Sequence, residues 1–211
     1  MLAVIDTATG NIQSVVNALT RIGVTAEIAV EAATLSNADA IVLPGVGAIA
    51  PAIKLLRERG FDEAIRRRVL NDGCPLLGIC LGMQLLADQS HENGLHEGLG
   101  LIPGNIVPLD PKDGPDQVPN FGWHDTAPTR TATLFNSDRT QSFYFAHSYH
   151  FMCKDDSDVA AEIDFSGERI TAAVERGNIF GVQFHPEKSQ DAGLDILHRY
   201  CIRVGEISSG S

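Results

Sequence analysis

Residues Cys74 to Leu86 read CPLLGICLGMQLL: an apolar run, a cysteine held between two glycines, then a helix-like pattern. The run PLLGI is short and apolar throughout, as a strand buried on both faces of a parallel sheet would be. Gly78-Ile79-Cys80-Leu81-Gly82 has the form G-x-nucleophile-x-G, in which a strand turns sharply into a helix and pushes the middle side chain into the open. Glycines flank the cysteine because a Cβ there would collide with the crowded turn. A thiol at the start of a helix also meets the positive end of the helix dipole, which favours the nucleophilic thiolate. Taken alone, the pattern fits a small buried cysteine in a glycine-rich turn equally well.

On both sides of this stretch, strand-like runs alternate with helical periodicity, the sign of βαβ units and a mostly parallel sheet. AVI (Ala3 to Ile5), AEIAV (Ala26 to Val30) and AIVLP (Ala40 to Pro44) read as strands. Val15, Ala18, Leu19 and Ile22 share one helical face, with Gly23 where a helix end wants it. APAIKLLRERG and FDEAIRRRVLNDG read as helices, with Arg66-Arg67-Arg68 on a solvated face. From Leu99 to Ser137 six prolines break the pattern, so an insertion of antiparallel hairpins and loops is expected. FYFAHSYHF, ITAAV and NIFGVQFH return to strand character, and SQDAGLDILHRYC closes with a helix.

At 211 residues and 44% hydrophobic, the chain can bury a sizeable core, and one domain over residues 1–211 is expected. A net charge of −11 argues against nucleic acid or an anionic membrane surface as partner. Met1 to Gly10 lacks a basic leader pattern and no apolar run is long enough to span a bilayer, so a cytoplasmic protein is expected. Cys74, Cys80, Cys153 and Cys201 form no CxxC pair, so neither a zinc site nor a disulfide framework is suggested.

Two further segments bear on Cys80. In GVQFHPEKS, His185 and Glu187 end an apolar strand pattern; in extended chain, residues i and i+2 point to the same side, so a base and its orienting carboxylate would sit together. Pro44-Gly45-Val46-Gly47 follows the strand AIVL, where glycines let backbone N–H groups turn toward a ligand as an oxyanion hole requires.

Together with GNIQSVVNAL, LPGVGA, LLGICLGMQLL, ENGLHEGLGLIPG, YFAHSYHF and GVQFHPEKSQDAGLDIL, in that order, these segments resemble the class I, triad-type glutamine amidotransferases over nearly the whole chain. The resemblance implies a doubly wound α/β fold with helices on both faces of the sheet. It also implies that Cys80 attacks the side-chain amide of L-glutamine, with His185 as base and acid and Glu187 as the orienting carboxylate. Gly45, Val46 and Leu81 would supply the oxyanion hole. Gly47, Gln84, His147, Ser148 and Tyr149 would hold the amino-acid end of the substrate. Neither metal nor organic cofactor is implied.

Nothing in the sequence looks like a second catalytic domain that could use the ammonia. The resemblance implies a (β/α)₈-barrel cyclase or synthase subunit as partner in a heterodimer, acting in histidine biosynthesis, with amidination of a bacterial surface sugar as the alternative. The chain departs from the family pattern at Asn120-Phe121-Gly122-Trp123-His124, in the segment that would face the barrel, and at Thr7-Ala8-Thr9 near the start. A non-catalytic subunit and a stand-alone cysteine hydrolase on the same scaffold are the other two readings.

Overall fold

The computed structural model describes residues 1–8, 12–129, 132–135 and 139–207. Thr9, Gly10 and Asn11 of the N-terminal motif, and Ser137 at the end of the proline-rich segment, lie outside the described residues.

The first half alternates as expected. Strand β1 (Leu2–Ile5) leads to helix α1 (Ile12–Arg21), β2 (Ala26–Ala29) and β3 (Ala40–Gly45). Helix α1 stops where Gly23 adopts φ 83°: its N–H donates to Thr20 O at 3.0 Å and that of Val24 to Leu19 O at 3.0 Å, which satisfies two carbonyls of the last turn. Helices α2 (Ile49–Glu58) and α3 (Phe61–Arg66) follow, the latter running into a π turn over Arg67–Asn71. The arginine run is not simply solvated. Arg68 donates to Leu35 O, Ala38 O and Asp72 at 3.0, 2.6 and 2.7 Å, binding this helix to the loop before β3.

Strand β4 (Leu76–Cys80) comes next, then α4 (Leu81–Gln84), β5 (Gln89–Ser90), β6 (His96–Glu97), β7 (Gly104–Pro108), β8 (Asn120–Pro128), β9 (Gln141–His147) and β10 (Tyr149–Cys153). Strands β11 (Val159–Phe165), β12 (Glu168–Arg176) and β13 (Ile179–Val182) precede the last helix, α5 (Gln190–Arg203).

Strands β2, β1, β3, β4 and β13 lie side by side in parallel, with β4 flanked by β3 and β13. Successive residues of each strand serve opposite faces. Leu2, Val4, Val42, Leu77 and Ile79 pack with Val15 and Leu19 of α1 and with Leu197 and Cys201 of α5. Ala3, Ile5, Ile41, Leu43 and Leu76 pack with Ile53 of α2 and Ile65 of α3 on the other side. Burial on both faces is why β1, β3 and β4 read as unbroken apolar runs.

Beyond β13 the same sheet continues through antiparallel partners as far as β7, to which β5 adds in parallel. Strands β7 and β8 arise inside the proline-rich segment, but they pair with β10 and β9, which lie outside it. Strand β8 pairs antiparallel with the next strand, β9, as an expected hairpin does, whereas β7 pairs with the later strand β10, so the segment is woven into the sheet.

Candidate active site

Register brings the three singled-out segments together. Gly45 at the end of β3 faces Cys80 at the end of β4, and β4 pairs with β13 up to Val182, so His185 emerges beside them at the carboxyl edge of the sheet. This edge is where ligands bind in open parallel sheets.

The elbow has a steric cause. A Cβ on Gly78 would stand 2.6 Å from Gly82 O, and one on Gly82 would stand 1.7 Å from Leu43 O of the neighbouring strand. Cys80 takes the strained backbone angles φ 54° and ψ −111°, a cost that close packing on both sides sustains. The helix that follows is much shorter than the sequence suggests: α4 comprises only Leu81–Gln84. The carbonyls that would extend it are taken elsewhere, as Leu85 O accepts from Leu99 N at 2.8 Å and Leu86 O from Leu101 N at 2.8 Å. The expected contribution of a helix dipole to Cys80 is therefore confined to one turn.

His185 and Glu187 do sit side by side, with Nδ1 and Oε1 2.8 Å apart and both side chains almost fully buried. The backbone reason differs from the one expected. The strand ends at Val182, and Pro186–Lys188 form a 3₁₀ turn, not extended chain. Ser189 holds this turn against β9: its hydroxyl donates to His185 O at 2.7 Å and accepts from Tyr144 N at 2.9 Å. Burial pulls the His185 imidazole down, but hydrogen bonding to Cys80 and Glu187 and the charges on both outweigh it, raising the pKa to about 9. At neutral pH this ring is a cation beside the sulfur, the partner that a thiolate requires.

Val46, Gly47, Cys80, Leu81, Gln84, His147, Ser148, Tyr149 and His185 line one cavity of about 290 Å³. Gly45 lies just behind it, sharing a small neighbouring void with Val46, His185 and Glu187. Every residue singled out in the sequence is thus at or against this cavity, but two act differently from a free substrate ligand. His147 has both ring nitrogens engaged: Nδ1 stands 2.8 Å from Tyr149 O, and Nε2 is 3.0 Å from Asn120 Nδ2. Only Nδ1 can carry the proton in that arrangement, because a carbonyl accepts. Burial, outweighing that bond, lowers the His147 pKa to about 4 and keeps the ring neutral. Gln84 spends Nε2 on Tyr149 O and Gln183 Oε1, both at 2.9 Å, which leaves its own Oε1 as the acceptor it has to offer.

The structure adds residues that the motifs did not reveal. Glu92, from the β5–β6 connection, lines the cavity and accepts from Ile49 N at 2.6 Å, at the start of α2. A carboxylate there is the natural counterion for the ammonium of an amino-acid ligand. Gln183, wholly buried, places Nε2 3.8 Å from Cys80 Sγ. The first sits in a polar run that reads only as a turn, and the second passes for a strand residue.

Among the described residues, no group of three or more His, Cys, Asp or Glu is placed to hold a metal ion. No helix among them is long and apolar enough to cross a membrane.

Comparison with known proteins defines the class. The family model "Glutamine amidotransferase class-I" matches residues 3–204. The chain belongs to the class I glutamine amidotransferase family.

Within it, the chain is similar to the protein named "Imidazole glycerol phosphate synthase subunit HisH" from Zymomonas mobilis subsp. mobilis, 45% identical over 203 residues that cover 94% of each. The protein of the same name from Chlorobaculum tepidum is 39% identical over 201 residues, 95% of this chain and 98% of its own. Among solved structures, one titled "Crystal structure of glutamine amidotransferase" superposes with TM-score 0.75 at 21% identity, over 97% of this chain and 99% of its own. "Structure of PurLQS from Thermotoga maritima" gives TM-score 0.73 at 19% identity, over 96% and 97%. At those identities the structures speak for the fold alone.

Proposed function

We propose that this chain is the glutaminase subunit of imidazole glycerol phosphate synthase, one cytoplasmic domain that hydrolyses L-glutamine to glutamate and ammonia for a partner subunit. The observation that carries the reading is the shared cavity of Cys80 and His185, with Glu187 Oε1 2.8 Å from the far ring nitrogen. The Cys80 thiolate attacks the glutamine side-chain carbonyl carbon, and the oxyanion is met by backbone N–H groups around Gly45, Val46 and Leu81. His185 passes its proton to the departing nitrogen, ammonia leaves, and a glutamyl thioester remains. The same imidazole then takes a proton from water, which cleaves the thioester and restores the thiolate. Gln84 Oε1 and Glu92 would bind the ammonium of the substrate, while Gly47, His147, Ser148 and Tyr149 form the wall that holds the rest of the same amino-acid end.

Ammonia loses its nucleophilicity once protonated in water, so a dry route into an attached synthase is needed. A HisF-like (β/α)₈ barrel fits this role. Phe121, 66% exposed, lines the cavity, and Trp123, 48% exposed, follows it on β8; together they supply an apolar face for the barrel. The test is glutamine turnover with and without a HisF-like barrel subunit, repeated with its acceptor. Stimulation by barrel and histidine-pathway ribonucleotide supports the assignment; a change below about threefold would favour a stand-alone hydrolase. Stimulation by a sugar-nucleotide acceptor alone would move the assignment to a surface-sugar pathway.

A further inference from the structure

Gln183 precedes His185 by two residues and is wholly buried. Its Nε2 stands 3.8 Å from Cys80 Sγ and its Oε1 accepts from Gln84 Nε2 at 2.9 Å. Gln84 Nε2 gives its other proton to Tyr149 O at 2.9 Å. Side-chain amides can be turned end for end, but a backbone carbonyl can only accept. Tyr149 O therefore fixes which end of Gln84 faces it, and that fixes Gln183 Oε1 toward Gln84 and Nε2 toward the sulfur. The reverse arrangement would set carbonyl oxygen against carbonyl oxygen at Tyr149 and a second oxygen against the sulfur. The two amides thus form a chain of one polarity, with a donor at the nucleophile and an acceptor, Gln84 Oε1, at the substrate pocket.

We propose that Gln183 is a positioning residue of the glutaminase reaction: its amide donates to the Cys80 sulfur and, by fixing the amide of Gln84, presents an acceptor to the ammonium end of glutamine. The inference rests on the glutaminase reading. It makes nucleophile and substrate recognition mutually dependent, since an anionic sulfur and a bound ammonium polarise the same amide chain in the same sense.

The test uses the full chain with its barrel subunit in two variants, Gln183→Glu and Gln183→Met, each read by kcat and KM for glutamine and by iodoacetamide alkylation of Cys80 across pH. Gln183→Glu keeps an acceptor for Gln84 but turns a carboxylate oxygen to the sulfur. Its alkylation rate at neutral pH and its kcat should fall about tenfold to a hundredfold, with the alkylation profile moved to higher pH and KM held within about twofold. Gln183→Met loses both bonds, so KM should also rise about tenfold. Alkylation and kcat of Gln183→Glu within about twofold of wild type would overturn the proposal, as would KM raised equally in both variants. Failure of both to fold, judged by circular dichroism, would make Gln183 a structural amide and equally overturn it. Should Gln183→Met alone fail, Gln183→Glu decides. Alkylation needs no glutamine, so a wild-type complex without glutaminase activity would sink the functional reading separately.

Discussion

Acidification should destabilise this protein through His147 in particular. The ring is 6% exposed, and its pKa is lowered from 6.5 to about 4. A histidine depressed in this way lends stability that is fully present above its unfolded value and is lost as pH falls through 6.5 toward about 4. At 1.36 kcal/mol per pH unit the whole difference is on the order of 3 kcal/mol, of which about 2 kcal/mol is lost between about pH 7.5 and about pH 5. Burial is the main cause, only partly offset by the bond to Tyr149 O, and the hydrogen-bond geometry agrees with a neutral ring. Protonated Nε2 would turn a donor toward Asn120 Nδ2, which is itself a donor at 3.0 Å. His150 is also lowered, chiefly by burial, so a reference is needed. His147→Gln keeps a donor for Tyr149 O and an acceptor for Asn120 but cannot titrate. Urea unfolding of both proteins across this range should show wild type losing about 2 kcal/mol more than the variant. Parallel pH slopes, or a folded-state His147 resonance titrating at an ordinary value, would show that His147 does not set this pH dependence.

Cys80→Ser should abolish glutamine hydrolysis without unfolding the chain, and a glutamine-like chloroketone should label Cys80 while sparing Cys74, Cys153 and Cys201, as mass mapping would reveal. Glutamine turnover should decline as pH rises through about 9, where His185 loses the proton it hands to ammonia; His185→Ala should cost about 10² to 10⁴, and more than Glu187→Ala, in steady-state rates. Gly82→Ala would place a methyl 1.7 Å from Leu43 O, so the elbow must shift; turnover should drop about 10²-fold even where the melting temperature shows a folded chain.

Local physics made much of this legible from sequence. The apolar runs of β1, β3 and β4 are continuous because both sheet faces are covered, and Gly23 ends α1 by the αL geometry that glycine allows at little cost. The elbow could be read because crowding at Gly78 and Gly82 leaves almost no other residue possible. The length of α4 could not be read, since backbone donors from Leu99 and Leu101 compete for its carbonyls. Nor could the 3₁₀ turn at Pro186–Lys188, where the same His–Glu pairing arises from another backbone path. Glu92, Gln183 and the Asn120–His147 bond carry no local signature, because each has its meaning only against a partner 43, 103 or 27 residues away. Sequence specifies which elements form, through interactions within a few residues. Which donor meets which acceptor in a buried site is decided by sheet register and packing, which bring those distant side chains together and leave them no water to turn to.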